Sequence, residues 1–124
     1  MAQYRHLPVW KVALDLAVHL EHAVRRFSRY NKYSLGADLR QTAHRLCRLV
    51  ARANDAKDAA RLCALDELVS AVEEMKTLLT LAQEIKAFAN FNEFAAAAEL
   101  TVSLGKQSGG WRRGVRPAAP SRQG

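Results

Sequence analysis

Three arginines spaced three and four residues apart, Arg45, Arg48 and Arg52, are the side chains in this sequence best placed to do chemistry, with Arg40 on their flank. On a helix that spacing puts them along one face. Planar guanidinium forks in a row suit phosphate oxygens. No acid on the same stretch stands four residues from any of the three to form a pair within the helix. Two further basic clusters flank the stripe. Arg25, Arg26, Arg29 and Lys32 precede it, and Arg112, Arg113 and Arg116 lie near the C-terminal end. Cations at a helix C-terminus also answer the helix dipole, but four charges exceed what that requires. Tyr30, Tyr33 and Trp111 stand beside these clusters as possible stacking surfaces. For Tyr33 and Trp111, packing at the ends of the fold is the favoured expectation.

Other chemistry is poorly supplied. His44 and Cys47 stand three apart, as do His19 and His22, but two ligands do not make a tetrahedral metal site. The Glu-x-x-His pairs of a di-iron bundle are missing. So are a phosphate-binding glycine loop after a strand and a nucleophile elbow. The sequence therefore points to binding without catalysis, cofactor or metal.

The elements that must carry the arginines are helices. From Tyr33 to Asn54, Leu39, Ala43, Leu46, Val50 and Ala53 recur in a three-four rhythm nearly opposite the arginine stripe. Before it, Pro8 suits a first helical turn. Trp10, Ala13, Ala17, Leu20, Val24 and Phe27 then give one stripe, widened by Val9, Val12, Leu14, Leu16 and Val18. So broad an apolar face implies contact with another subunit. Residues 1–7 read as a short polar arm. Ser34 is the expected N-cap of the second helix and Asp58 a candidate cap of the third. The third is the longest, expected over 59–89, with Leu65, Leu68, Val72, Met75, Leu79, Ala82 and Ala89 in its seam. Asn90 and Glu93 have the spacing of a capping pair. In the fourth helix, Phe94, Ala95, Ala98, Val102 and Gly105 share one side, opposite Ala97, Leu100 and Leu104. Gly105, Gly109 and Gly110 are expected to end it before Trp111. The expectation is all-α: an antiparallel up-down four-helix bundle over 1–113, followed by a disordered basic tail over 114–124.

The totals agree. At 124 residues the chain suits one domain with its own core. Nineteen Lys and Arg against twelve Asp and Glu leave a formal charge of +7, which favours nucleic acid, an anionic membrane or an acidic protein. Cys47 and Cys63 have no paired spacing and read as small buried hydrophobes in a reducing compartment. Neither a secretion signal nor a membrane-length apolar run is apparent, so a cytoplasmic location without membrane association is the expectation.

Two motifs carry a resemblance. Lys32–Tyr33–Ser34–Leu35–Gly36, opening the second helix, resembles the basic-aromatic-x-Leu-Gly signature of small four-helix-bundle proteins that include those encoded in ribosomal-RNA intervening sequences. The run from Leu104 to Trp111, LGKQSGGW, is similar to the Gly-Lys-x-x-Gly-Gly-Trp ending of the accessory variability determinant proteins of diversity-generating retroelements. The match spans residues 8–113. Thr80 stands where that family often has a basic residue, Ser108 replaces a common apolar one, and the usual proline before the second helix is missing. The resemblance implies a basic homopentamer of helical bundles that binds the element's reverse transcriptase and its template RNA, without catalysing. On that reading the residues that would meet RNA or DNA are Arg25, Arg26, Arg29, Lys32, Arg40, Arg45, Arg48, Arg52, Arg112 and Arg113. The alternative is an oligomeric interaction scaffold of the intervening-sequence type, with no nucleic-acid role.

Overall fold

Pro8 occupies the first turn of the first long helix, where a missing N–H costs no hydrogen bond. In the computed structural model, which describes residues 3–115, the chain is all-helical. A one-turn 3-10 segment, Gln3–His6, is followed by α1 (Pro8–Arg25), α2 (Arg29–Lys32), α3 (Leu35–Asp55), α4 (Asp58–Glu84) and α5 (Phe91–Gly114). The expected polar arm thus carries structure, with the Tyr4 ring set edge-on to Trp10 at 4.7 Å. Among the described residues, the four long helices close a circuit of packed pairs: α1 with α3, α3 with α4, α4 with α5 and α5 with α1.

One core runs through all four. The α3 stripe Leu39, Ala43, Leu46, Val50 and Ala53 is buried, joined by Leu49. Leu65, Leu68, Val72, Met75, Leu79 and Ala82 of α4 are buried as their spacing predicts. On α1, Val9, Leu16 and the expected stripe from Ala13 to Val24 turn inward, while Leu14 and Val18 remain exposed. The α5 core face takes Ala97 and Leu104 from one of the two expected sides and adds two polar residues. It is Ala97, Thr101, Leu104 and Ser108, and Val102 faces outward. Thr101 and Ser108 enter the interior because their hydroxyls donate to carbonyls of their own helix, Ala97 at 2.8 Å and Gly105 at 3.3 Å.

The helix ends show where local chemistry departs from the expected punctuation. A separate turn, α2, splits the first connection, and Ser28 caps it, its Oγ accepting from the Asn31 N–H at 3.3 Å. Ser34 precedes α3 but makes no side-chain cap; its hydroxyl instead donates back to the Tyr30 carbonyl at 2.9 Å. Lys57, not Asp58, holds the N-cap position of α4, and Asp58 takes a left-handed φ of 54°. The α3 C-terminus is closed by Arg61, which donates to the carbonyls of Ala53 and Asn54, both at 2.9 Å.

α4 stops at Glu84, five residues short of the expected Ala89. There Lys86 adopts φ 56°, the Lys86 N–H reaches the Gln83 carbonyl, and the Ala87 N–H reaches that of Ala82. This is the doubly bonded left-handed helix terminator usually built with glycine. Ala87 and Phe88 are buried beyond it, so tertiary packing sets the stop. Asn90 caps α5 as expected, accepting from the Glu93 N–H at 2.9 Å. Gly109 and Gly110 do not end that helix. It continues through Trp111 to Gly114, held by buried Leu104 and Ser108 and by Trp111 packed on the core. The expected disordered tail lies, from residue 116 on, outside the described residues.

Candidate nucleic-acid interface

The arginine stripe on α3 is not the free cationic face that its own helix suggests. α3 packs between α1 and α4, and acids on both neighbours reach it. Glu67 of α4 faces Arg45 at 3.5 Å and Arg52 at 3.3 Å, and Glu74 lies 3.7 Å from Arg45. On the other flank, Glu21 of α1 accepts from Arg40 Nε at 3.0 Å and meets His44 Nε2 at 2.8 Å. Arg48 remains exposed with no acid beside it among the described residues. The stripe thus divides into three arginines with carboxylate partners and one without. Absence of an intrahelical acid did not settle the matter, because the partners come from other helices. A signal was available: Glu67 and Glu74 are seven residues apart on α4, as Arg45 and Arg52 are on α3.

The cluster at the α1–α2 corner behaves differently. Arg26 pairs with Glu93, whose side chain is only 8% exposed, so this arginine serves the joint between α1 and α5. Beside it, His19 Nε2–H donates to the Glu93 carbonyl at 2.8 Å. Burial first, and the Arg26 charge second, hold the His19 pKa below its ordinary value. Arg25 and Arg29 are exposed and Lys32 half-buried, and none has an acidic partner among the described residues. No acid occurs in the chain between Glu21 and Asp38. Tyr30 and Tyr33 in the same corner are 86% and 74% exposed. Tyr33 therefore does not pack at an end of the fold, which corrects the expectation for it. Trp111 does pack, against the core and alongside Leu7, Pro8 and Val9.

At the C-terminal cluster, Arg112 Nε donates to Asp66 at 2.5 Å, joining α5 to α4. Arg113 is exposed and unpaired among the described residues. Arg116 lies outside them.

Of the candidate ligand pairs, His44 and Cys47 are both engaged within the fold, as is His19, while His22 is exposed. His44 is engaged by Glu21, and the Cys47 thiol donates to the Ala13 carbonyl at 3.5 Å. Burial pushes the Cys47 thiol up to about 11, against the pull of Arg48. Cys63 is exposed, contrary to the expectation that both cysteines are buried. Among the described residues, no group of three or more His, Cys, Asp or Glu could hold a metal ion. No described helix is long and apolar enough to cross a membrane.

The chain matches no family model, and no curated protein matches it. Among the described residues, Arg25, Arg29 and Lys32 at one corner, Arg48 on α3 and Arg113 near the C-terminal end of α5 have no acidic partner, and neither have Arg5, Lys57, Lys86 and Lys106, which stand apart from one another in the sequence. The motif Lys32–Gly36 also divides cleanly by role. Lys32 and Tyr33 face outward, whereas Leu35 and Gly36 are buried where α3 starts against α1.

Proposed function

We propose that this protein is a non-catalytic accessory factor that binds nucleic acid through exposed cations, in the manner of the accessory variability determinant proteins it resembles. Its partners would be the reverse transcriptase of a diversity-generating retroelement and that element's template RNA, met in the cytoplasm. The fold on this reading is an antiparallel up-down bundle. That course is supported by the circuit of packed helices and by their cross-links, Arg40 to Glu21, Arg52 to Glu67 and Arg112 to Asp66. The carrying observation is the corner formed by α1 and α2, where Arg25, Arg29 and Lys32 meet no acid among the described residues. Arg26, Arg40, Arg45, Arg52 and Arg112, by contrast, each meet a carboxylate. The first set is available to phosphates; the second is available only where a phosphate displaces a carboxylate.

The test is RNA affinity measured against salt. Phosphate contacts release counterions, so affinity should fall steeply as salt rises. Binding that does not depend on salt, or no binding at low salt, would contradict the proposal. Co-purification with a reverse transcriptase encoded beside it would identify the partner.

One observation favours a second reading, a self-assembling scaffold with no nucleic-acid role. Leu14 and Val18 on α1, Leu81 and Ile85 at the end of α4, and Phe91 and Val102 on α5 are exposed apolar side chains. They suit contacts between copies, and the pentamer implied by the resemblance would use such surface. A stable oligomer with no RNA affinity at low salt would favour this reading over the first.

A further inference from the structure

Between buried Phe27 and buried Leu35 the chain makes a turn in which no residue is buried, yet the turn is firmly built. On one side Phe27 is locked edge-on against Phe88 at 5.2 Å. On the other, Leu35 and Gly36 are buried, and Gly36 sits so close to α1 that an added Cβ would lie 2.7 Å from Val24 Cγ1. Within the turn, the Ser28 hydroxyl caps the N-terminus and the Ser34 hydroxyl closes the C-terminus on the carbonyls of Tyr30 and Asn31. Tyr30 and Tyr33, three residues apart, are thus carried on a fixed backbone with their rings in solvent.

A connection that served only to reverse the chain would have no use for two large exposed rings. Neither Tyr30 nor Tyr33 makes a ring–ring contact, and neither hydroxyl makes a hydrogen bond, among the described residues. Arg29 and Lys32 stand next to them in the sequence and Arg25 ends α1 just before, all three without acidic partners among the described residues. Rings that can stack, set among cations that can meet phosphates, are the two components by which proteins hold unpaired strands. A duplex offers such a surface its phosphates but keeps its bases stacked inside.

We infer that the α1–α2 corner is a binding site for single-stranded nucleic acid, in which Tyr30 and Tyr33 stack on unpaired bases and Arg25, Arg29 and Lys32 hold the adjoining phosphates. The inference rests on the nucleic-acid reading above and adds to it the class of strand and the residues that select it. Stacking is blind to the sugar, so RNA and DNA strands of the same sequence both bind.

The test measures fluorescence anisotropy of the full chain with three probes: an unstructured RNA of about 12 nucleotides, the same sequence as DNA, and its duplex. The protein variants are Tyr30→Ala with Tyr33→Ala, and Tyr30→Phe with Tyr33→Phe. Both rings are exposed, so the variants should melt as the parent does, which a thermal scan verifies. The expected result is that the alanine pair loses about tenfold or more in affinity for both single strands. It keeps the parent's salt dependence and its duplex affinity, and the phenylalanine pair binds as the parent. Unchanged single-strand affinity in the alanine pair, or an equal loss on duplex and single strand, overturns the inference while leaving the nucleic-acid reading intact. A parent protein that binds none of the three probes at low salt overturns both.

Discussion

Glu67 lies between Arg45 and Arg52, with Oε1 3.5 Å from one guanidinium and Oε2 3.3 Å from the other. One carboxylate on α4 therefore meets the two outer members of the arginine stripe on α3, and Arg48 between them has no acidic partner among the described residues. All three groups are substantially exposed, so these pairs hold the fold by no more than about 1 kcal/mol each and exchange readily. Glu67→Gln is expected to raise nucleic-acid affinity several-fold by releasing Arg52 and leaving Arg45 only Glu74, 3.7 Å away. Stability in a denaturant titration should change by less than about 1 kcal/mol. An unchanged affinity would show that the stripe plays no part even when released.

Arg26 stands opposite Glu93 and should behave as a structural residue. Arg26→Ala strands a carboxylate that is almost fully buried and whose Oε1 has no partner among the described residues. Leaving a buried charged group uncompensated costs about 1–3 kcal/mol here, below the cost of a fully buried pair because Arg26 itself is exposed. Pairing Arg26→Ala with Glu93→Gln should recover part of the loss. A double-mutant cycle by chemical denaturation measures both effects.

His19 gives the fold a dependence on pH. Its pKa is lowered in the folded state from the ordinary 6.5, first by burial and then by Arg26. Between the folded and unfolded values the unfolded chain binds more protons, so stability rises with pH across that window. The contribution is complete above the unfolded value and is lost as pH falls through 6.5 toward the folded pKa. The melting temperature should drop on acidification from about pH 7 to about pH 5.5, and His19→Gln should flatten that drop. Glu21 adds a lower window. Desolvation raises its pKa, but bonds from His44 and Arg40 outweigh this, and the net shift is downward from 4.5. Its contribution is present above that value and fades as pH falls through the folded pKa.

Two backbone positions test the geometry of the helix ends. Gly36→Ala drives a methyl group to 2.7 Å from Val24 Cγ1 and 3.1 Å from the Asn31 carbonyl, and should destabilise by about 1–3 kcal/mol through overpacking. Lys86→Gly relieves a lysine held at φ 56° and should stabilise by about 1 kcal/mol. Both are read by urea titration; the opposite sign at either position would show that the corner or the terminator is built differently.

The core was largely legible in the sequence because period alone decides which face of a helix is buried. Leu39, Leu46 and Val50, like Leu68, Val72 and Met75, lie where their spacing put them. α5 was harder, since half of its core face is Thr101 and Ser108, polar residues that satisfy themselves on their own helix. The glycines misled for a related reason. Gly109 and Gly110 lower helix propensity, but Trp111 and Ser108 pack well enough to carry α5 past them. The site was legible in composition and not in partnership. Arg48 and Arg52 look alike along one helix, and only the docking of α4 gives Arg52 a carboxylate and leaves Arg48 without one. The exposure of Tyr33 depended in the same way on α2, a turn of four residues too short to leave a periodic signal.

On the proposed reading, cations without acidic partners at the α1–α2 corner hold nucleic-acid phosphates. The most direct measurement is the slope of log affinity against log salt for an unstructured RNA, in the parent and in Arg25→Gln, Arg29→Gln, Lys32→Gln combined. Each lost phosphate contact should remove roughly 0.7 from the slope on a single strand. The predicted result is weaker binding with a slope shallower by about 2. An unchanged affinity and slope in the triple variant would contradict the account.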